Sequence, residues 1–479
     1  MGDLEALIKL DRARGRLGEQ LVGALRAAIA DGRLAPGTRL PASRDLATDL
    51  RLSRGVVVNA YEQLVAEGRL ESRRGSGTVV TGNTAAPVDP VPVRDHHRSG
   101  PTGAPLPLRP GVPDLGMFPR TAWRRAYEQA LAGAFDADLD YGDPAGVARL
   151  RTALAGYLGR VRAARVEAGA LVVTTGAAQA FTLLAGVLRA RGESRIGFEE
   201  PGSAGVRTHL AGHGLRPTPV AVDTGGLDVA ALARTRLRAV VVTPAHQFPT
   251  GVVLAPQRRA ALIEWARSTG GLVVEDDYDA EFRYDREPVG CLQGVAPDIV
   301  ALVGSASKAL APGMRLGWLA VPDELRAAVA SAKATMDLGG PVLEQLAFAE
   351  FLDTGGYDRH LRRARRLHRQ RRDALVQAIR RHLPQARISG VAAGLHLVVE
   401  LPAGYDDAAL ADRARAAGLG PVPLSELRLT QGGPPGLVLG YAAQSPGELA
   451  AAVRTLAGMC DGLAGPGDGA VLQGAPSSG

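Results

Sequence analysis

Lysine is nearly absent from this chain. Of 56 Lys plus Arg in 479 residues, only Lys9, Lys308 and Lys333 are lysines. Where positive charge alone was needed, arginine was used. Arginine stays protonated and cannot form a Schiff base, whereas a desolvated lysine can. Cysteine is equally scarce: Cys291 and Cys460 cannot build a disulfide framework, and neither stands in a metal-ligand spacing. No apolar run approaches membrane-spanning length, and the first residues lack a signal-peptide pattern. These absences point to a reducing, cytoplasmic setting and exclude a disulfide-stapled or membrane-spanning protein. Length calls for two or three domains, and an apolar content of 46% is ample for a large core. The formal charge of +7 permits a nucleic-acid partner without establishing one.

Lys308 stands in V-A-L-V-G-S-A-S-K-A-L-A-P-G-M-R-L-G, Val300 to Gly317. An apolar run predicts a buried strand, followed by a small-residue turn and the lysine. Ser305, Ser307 and Arg315 could hold a phosphate beside it.

Residues 1–81 read as a small helical unit. Leu17 to Ala30 has apolar residues at helical spacing and ends at Asp31-Gly32. Ser43 is expected to cap a short helix, Arg44 to Leu50. Ser53 is expected to cap a second, Arg54 to Glu67, with Gly68 as its stop. A hairpin follows, with a basic, glycine-rich tip (Arg73-Arg74-Gly75-Ser76-Gly77) able to approach a phosphate backbone. The segments L-P-A-S-R-D-L-A (40–47), L-S-R-G-V-V-V-N-A-Y-E-Q-L (52–64) and E-G-R-L-E-S-R-R-G-S-G-T (67–78) resemble the winged helix-turn-helix of the GntR superfamily. The resemblance implies that Arg44, Ser53, Arg54 and the wing around Gly77 touch double-stranded operator DNA, with the second short helix in the major groove. Residues 82–107, rich in proline, read as a semi-rigid linker, and residues 464–479, rich in Gly, Pro and Ser, as a disordered tail.

Residues 108–463 alternate helical stretches with short Val-rich strands: Leu171–Val173, Ile196–Phe198, Ala239–Thr243, Leu272–Val274, Ile299–Val303 and Leu316–Val321. This predicts an α/β domain with a largely parallel sheet, whose ligands bind at the carboxyl ends of strands. Four polar clusters lie there: Thr174 to Gln179, Thr243 to Gly251, Glu275 to Tyr278, and Lys308 with Arg315. Pyridoxal 5'-phosphate (PLP) would use all four: a lysine for its aldehyde, a phosphate cup, a carboxylate for its pyridine nitrogen and a hydroxyl for its phenolic oxygen.

The motifs Y-G-D-P-A-G (141–146), E-E-P-G (199–202), H-Q-F-P-T-G (246–251), E-D-D-Y-D-A-E-F-R-Y (275–284) and S-K-A-L-A-P-G-M-R-L-G (307–317) resemble fold-type I aminotransferases. They are closer still to the MocR/GabR regulators, in which that domain follows a GntR-type unit. The resemblance implies that Lys308 binds the cofactor covalently, Asp276 pairs with the pyridine nitrogen and Tyr278 meets the phenolic oxygen. Gly176, Ala177, Ala178, Ser305, Ser307 and Arg315 would hold the phosphate, and Tyr141 would reach the phosphate of a neighbouring subunit. His246 and Gln247 stand where aminotransferases place an asparagine near the ring.

Three departures stand out. Ser203 follows E-E-P-G where the family has a stacking tyrosine, with Arg207 nearby as an effector contact. Val438 occupies the place of the arginine that grips a substrate carboxylate, leaving Arg428 as a substitute. Eight arginines crowd residues 359–372, on a solvated helix face or as a second contact to DNA backbone.

The expectation is a homodimeric, PLP-binding transcriptional regulator that senses the cofactor, alone or with a small amine, and controls vitamin B6 synthesis. The alternatives are an active aminotransferase with an appended DNA-binding domain, a regulator of amine or amino-acid metabolism of the GABA kind, and an aminotransferase-like domain serving only as a dimer scaffold.

Overall fold

The computed structural model describes residues 8, 10–73, 77–81, 106–279, 281–284 and 289–460. The wing tip Arg74–Ser76, nearly all of the proline-rich linker and the tail lie outside the described residues. The chain divides into two compact units between His96 and His97.

The first unit has three helices, α1 (Leu17–Ala30), α2 (Ser43–Asp49) and α3 (Arg54–Ala66), then strands β1 (Leu70–Arg73) and β2 (Gly77–Val80). The apolar spacing read in the sequence becomes a common core: Leu21, Leu25, Ile29, Leu46, Val57, Leu64, Leu70 and Val80 are all buried together. β1 and β2 pair antiparallel, with Arg73 opposite Gly77. Gly68, at φ +70°, ends α3 as expected: its N–H meets the Val65 carbonyl, and the Arg69 N–H meets that of Leu64. The capping expectations need correction. Ser43 is the first residue of α2, and Ala42 takes the cap position without a side-chain bond. Ser53 does precede α3, but its hydroxyl makes no cap bond. A Ser before an apolar helix marks a boundary only to within a residue, and its hydroxyl need not turn inward.

In the second unit, α4 (Arg120–Gly133) and α5 (Ala148–Arg162) precede β3 (Leu171–Thr174), α6 (Ala177–Ala190), β4 (Arg195–Glu200), α7 (Ala204–Gly212), β5 (Arg216–Asp223), β6 (Gly226–Leu227), α8 (Val229–Ala233) and β7 (Ala239–Val242). Then come α9 (Pro256–Thr269), β8 (Leu272–Asp277), β9 (Val300–Ser305), β10 (Gly317–Ala320), α10 (Asp323–Asp337), α11 (Val342–Asp353) and the long α12 (Gly356–His382). The chain closes with β11 (Arg387–Ser389), β12 (His396–Glu400), α13 (Asp407–Ala416), β13 (Val422–Pro423), β14 (Gly436–Gly440) and α14 (Pro446–Cys460).

The large sheet has the order β3-β10-β9-β8-β7-β4-β5-β6. β4, β5, β7, β8 and β9 are mutually parallel, and β10 runs antiparallel to both β9 and β3. β3 therefore points the same way as β9, and the carboxyl ends of β3, β4, β7, β8 and β9 all face one side. That is the largely parallel sheet the Val-rich runs predict. β5 escapes sequence reading because Pro217 and Pro219 argue against a strand. The two prolines share one parity, and β5 meets β6 only at Val222 and Asp223, so their missing N–H groups face an edge that needs no donor. A second, antiparallel sheet, β11-β12-β14-β13, was likewise not legible.

Candidate functional site

In the first unit the four residues assigned to DNA are solvent-facing. Arg44 lies in the first turn of α2, Ser53 and Arg54 open α3, and Gly77 starts β2; all are exposed. Gly77 has φ +86° and backs onto the Arg39 guanidinium, a methyl group there lying 3.1 Å from Arg39 Nε. Arg39 bridges to Val79 at the edge of the hairpin. It is exposed beside β2, and no motif pointed to it. Asn59 is also exposed on α3, about 140° around the helix from Arg54.

In the second unit a cavity of about 400 Å³ opens at the shared carboxyl end of the strands. Lys308, Asp276, Tyr278, Ala177, Ala178, Ser305, Ser307 and Arg315 all line it. Residues spread along the chain from Ala177 to Arg315 thus converge because five parallel strands end on one side. Lys308, just past β9, donates from Nζ to the Gly111 carbonyl at 2.5 Å. Burial holds its ammonium below the usual lysine range, against the attraction of Asp279 and Asp276. Asp276, from the end of β8, has its carboxyl pushed up to about 7, first by burial and then by the charges of Asp277, Asp279 and Glu199.

The end of the cavity expected to take a phosphate is built from backbone. Gly176 precedes α6 at φ +93°, and a Cβ there would stand 2.8 Å from an Arg315 nitrogen, so only glycine lets the guanidinium close on this turn. Arg315 donates to the Thr175 carbonyl. Ala177 and Ala178 begin α6, where the first N–H groups have no acceptor within the helix and the dipole is positive. Gly176 shapes the cup from behind its lining.

Other expectations meet a different geometry. His246 is buried but off the cavity lining. Its Nδ1 lies 3.0 Å from Asp279 Oδ2 and 3.0 Å from the Tyr278 hydroxyl, which also donates to the His246 carbonyl at 3.1 Å. It braces Tyr278 from behind. Gly394, at φ +70°, leaves room for this group: a Cβ would collide with both His246 and Asp279. Gln247 is likewise turned inward, its amide spent on Glu199 and the Pro201 and Phe248 carbonyls.

Arg207 does not face the cavity and is not placed as an effector contact. It is buried, with Nη1 donating to the Leu427 carbonyl at 2.6 Å and Nη2 to that of Glu426 at 3.3 Å, and it lies 3.7 Å from Glu200. A guanidinium so bound fastens the 426–430 loop to α7. Arg428 turns away too, donating to the Pro434 carbonyl. Val438 is fully buried in β14 against Val398, Leu424 and Leu427. Among the described residues that line the cavity, Arg315 is the one arginine. Ser203, Phe248, Leu395 and His396 also line the cavity, and His209 lines it beside α6, its Nε2 2.7 Å from the Thr182 hydroxyl. Burial, then His246, pushes His396 down to about 4, so it is neutral at pH 7. Tyr141 lies apart from the cavity and is 84% exposed.

Sequence reading missed Glu199, Asp279 and His396 on this wall. The first two sat inside quoted motifs; nothing around His396 gave a signal. Glu199, buried, accepts from the Thr243 backbone and hydroxyl, and burial pushes it up to about 7.

Comparison with known proteins agrees with this division. Residues 17–80 match the gntR family of bacterial regulatory proteins, and residues 108–438 match aminotransferase class I and II. A pyridoxine biosynthesis transcriptional regulator from Corynebacterium glutamicum is 37% identical over 383 residues, covering 79% of this chain and 82% of its own. A probable rhizopine catabolism regulatory protein from Rhizobium meliloti is 31% identical over 474 residues, 94% of this chain and 95% of the relative.

The chain belongs to the MocR/PdxR-type regulators.

Within that family its second unit is an aminotransferase class I and II domain. Among solved structures, the α-aminoadipate aminotransferase LysN of Thermus thermophilus, complexed with N-(5'-phosphopyridoxyl)-L-leucine, matches with a TM-score of 0.68 and 28% identity over 75% of this chain and 92% of its own. An archaeal alanine:glyoxylate aminotransferase, at 24% identity and a TM-score of 0.69 over 74% of this chain and 90% of its own, shares the fold. Among the described residues no helix is long and apolar enough to cross a membrane.

Proposed function

We propose that this MocR/PdxR-type regulator binds pyridoxal 5'-phosphate at Lys308, and that occupancy of the cavity sets how the GntR unit holds its operator, at genes of vitamin B6 supply. The observation that carries the reading is the cavity's lining. It gathers a desolvated lysine, a carboxylate and a helix N-terminus with Arg315, while among the described lining residues no second arginine is offered to a carboxylate. The 37% identical relative named for pyridoxine biosynthesis supports the choice of target genes.

The residues fit the cofactor. Asp276 and Asp279 face each other's charge in a buried setting, and a protonated ring nitrogen beside Asp276 would relieve that repulsion. The α6 N-terminus, Ser305, Ser307 and Arg315 would take the phosphate dianion, and Tyr278, fixed by His246, would face the phenolic oxygen. When bound, PLP supplies an electrophilic carbon that takes an amine. Lys308 is the amine at hand, and burial lowers its basicity, which favours the neutral, nucleophilic form. An amino acid, lacking an arginine for its carboxylate, would be a poor second ligand, so regulation rather than transamination is the use we assign. We further propose that the chain works as a homodimer. Phe135, Leu139 and Tyr141 are 77%, 61% and 84% exposed, an apolar surface that a second copy would cover.

The test is a titration of the full-length protein with PLP, followed by visible absorption and by borohydride trapping. Wild type should give a new band and a trapped adduct, and Lys308→Ala neither. No band in wild type would sink the sensor reading and leave the domain a scaffold. Steady turnover of an amino acid with a keto acid would instead favour the enzyme. Mapping DNA occupancy in cells checks the finer claim, which fails if no bound promoter serves vitamin B6 metabolism.

A further inference from the structure

Positive charge is distributed unevenly. The GntR unit carries little of it: residues 1–81 hold 13 Lys/Arg against 10 Asp/Glu. Helix α12 alone holds ten arginines against two aspartates, a formal +8 in a chain whose whole net charge is +7. The sequence left open whether this run was only a solvated face.

In the structure the arginines divide by role. Arg365 and Arg371 turn inward, to the Glu281 carbonyl and to Asp114. Arg362, Arg363, Arg366, Arg369, Arg380 and Arg381 are exposed. None of these six makes a hydrogen bond or ion pair among the described residues. At about 100° per residue they share an arc of roughly 120° on one side of α12, together with Arg359, which also donates to the Thr354 carbonyl. The stripe from Arg359 to Arg381 runs about 33 Å at 1.5 Å per residue. Duplex DNA carries one phosphate per strand every 3.4 Å or so, giving about ten base pairs along that length. Like charges packed so closely repel, and without internal partners they add nothing to the fold. A polyanion would offset that cost.

We infer that the exposed arginine face of α12 is a second DNA contact, gripping the phosphate backbone of duplex beside the site held by the GntR unit. Three features favour DNA over other polyanions. The face presents no apolar or aromatic side chain: between the arginines lie Gln370, Asp373 and Gln377. That pattern does not suit insertion into a lipid surface or an anchored protein interface. The cations are arginines, whose planar fork pairs with phosphate oxygens two at a time. The same chain carries a DNA-binding unit, so duplex is present at high effective concentration. Contacts of this kind add affinity and register but read no sequence.

The test uses the full-length protein and two labelled duplexes of arbitrary sequence, 20 and 60 base pairs long. Binding is measured between about 50 and 200 mM salt for wild type, Arg362→Gln/Arg366→Gln/Arg369→Gln and Arg54→Ala. All three substituted arginines of the triple variant are exposed, and its PLP titration and melting curve should match wild type. On the longer duplex the triple variant should show a log–log salt slope shallower by about 2–3, at roughly 0.9 for each phosphate no longer neutralised. Its affinity at low salt should fall at least tenfold, whereas Arg54→Ala should change the slope by about 1. The 20-base-pair duplex should discriminate the triple variant much less. An unchanged slope on the longer duplex would overturn the inference. So would loss, in the triple variant, of binding to vesicles of anionic phospholipid while DNA binding stays intact. Failure of Arg54→Ala to weaken binding bears on the GntR surface and leaves the α12 comparison readable.

Discussion

The two units of this chain do their chemistry in opposite environments. The GntR unit places Arg44, Ser53 and Arg54 in water, on helix starts that any reader of caps and glycines can locate to within a residue. Its function lies on a surface, and its core below is uniformly apolar. The aminotransferase-like unit buries its candidate site. Lys308, Asp276, Glu199 and Asp279 sit around one cavity, and burial shifts Lys308 down and Asp276 and Glu199 up. Exposed side chains act through their spacing. Buried ones are tuned by each other, so every wall residue matters to its neighbours.

The largest effects that would sharpen this contrast come from the buried unit. Arg207→Ala removes a cation bound to two carbonyls and Glu200, and should cost about 2–4 kcal/mol of stability. A melting curve would show it, with the DNA affinity of the folded fraction unchanged. A loss of PLP response with full stability would instead return Arg207 to the role of an effector contact. Gly394→Ala, forced against His246 and Asp279 at positive φ, should cost about 2–3 kcal/mol and weaken PLP binding as Tyr278 loses its brace. Equal PLP affinity in the variant would show that His246 is not a support.

On the exposed unit, Arg54→Ala should cost about 1–3 kcal/mol in operator binding and nothing in stability, measured by titrating a selected operator and by melting. A destabilised fold would mean that Arg54 is structural. The smallest effect concerns pH. Burial, then Asp277, raises Glu275 from an ordinary 4.5 to about 7. A raised acid stabilises the fold below its unfolded value and loses that contribution as pH rises through about 7. Glu275→Gln, which stays neutral, should therefore gain on wild type as pH rises from 5 to 8, by up to about 2 kcal/mol. A gap that narrows as pH rises would contradict the charge balance around Arg162 and Asp277.

Much of the candidate site was legible because it is written locally. Strand, turn and polar residue fall together at Thr174–Ala178, Glu275–Tyr278 and Ser305–Lys308, and a parallel sheet must bring such ends to one side. His246, Arg207 and Arg428 were misread for a shared reason. A polar side chain in a motif can face the cavity or turn inward to satisfy a buried partner, and sequence spacing does not say which. For Arg207 the partners are 219 and 220 residues away.

By itself, then, the sequence determined the helices and hairpin of the first unit, six strands of the large sheet and the lysine chemically suited to the cavity. These follow from periodicity, caps and composition, which act over a few residues. Only the tertiary structure decided which polar groups face the cavity, that Arg207 and Arg428 turn away from it, and that α12 turns to solvent six arginines with no partner among the described residues. Those outcomes depend on contacts between residues hundreds of positions apart, where burial makes an unmet hydrogen bond or charge too costly to leave unanswered.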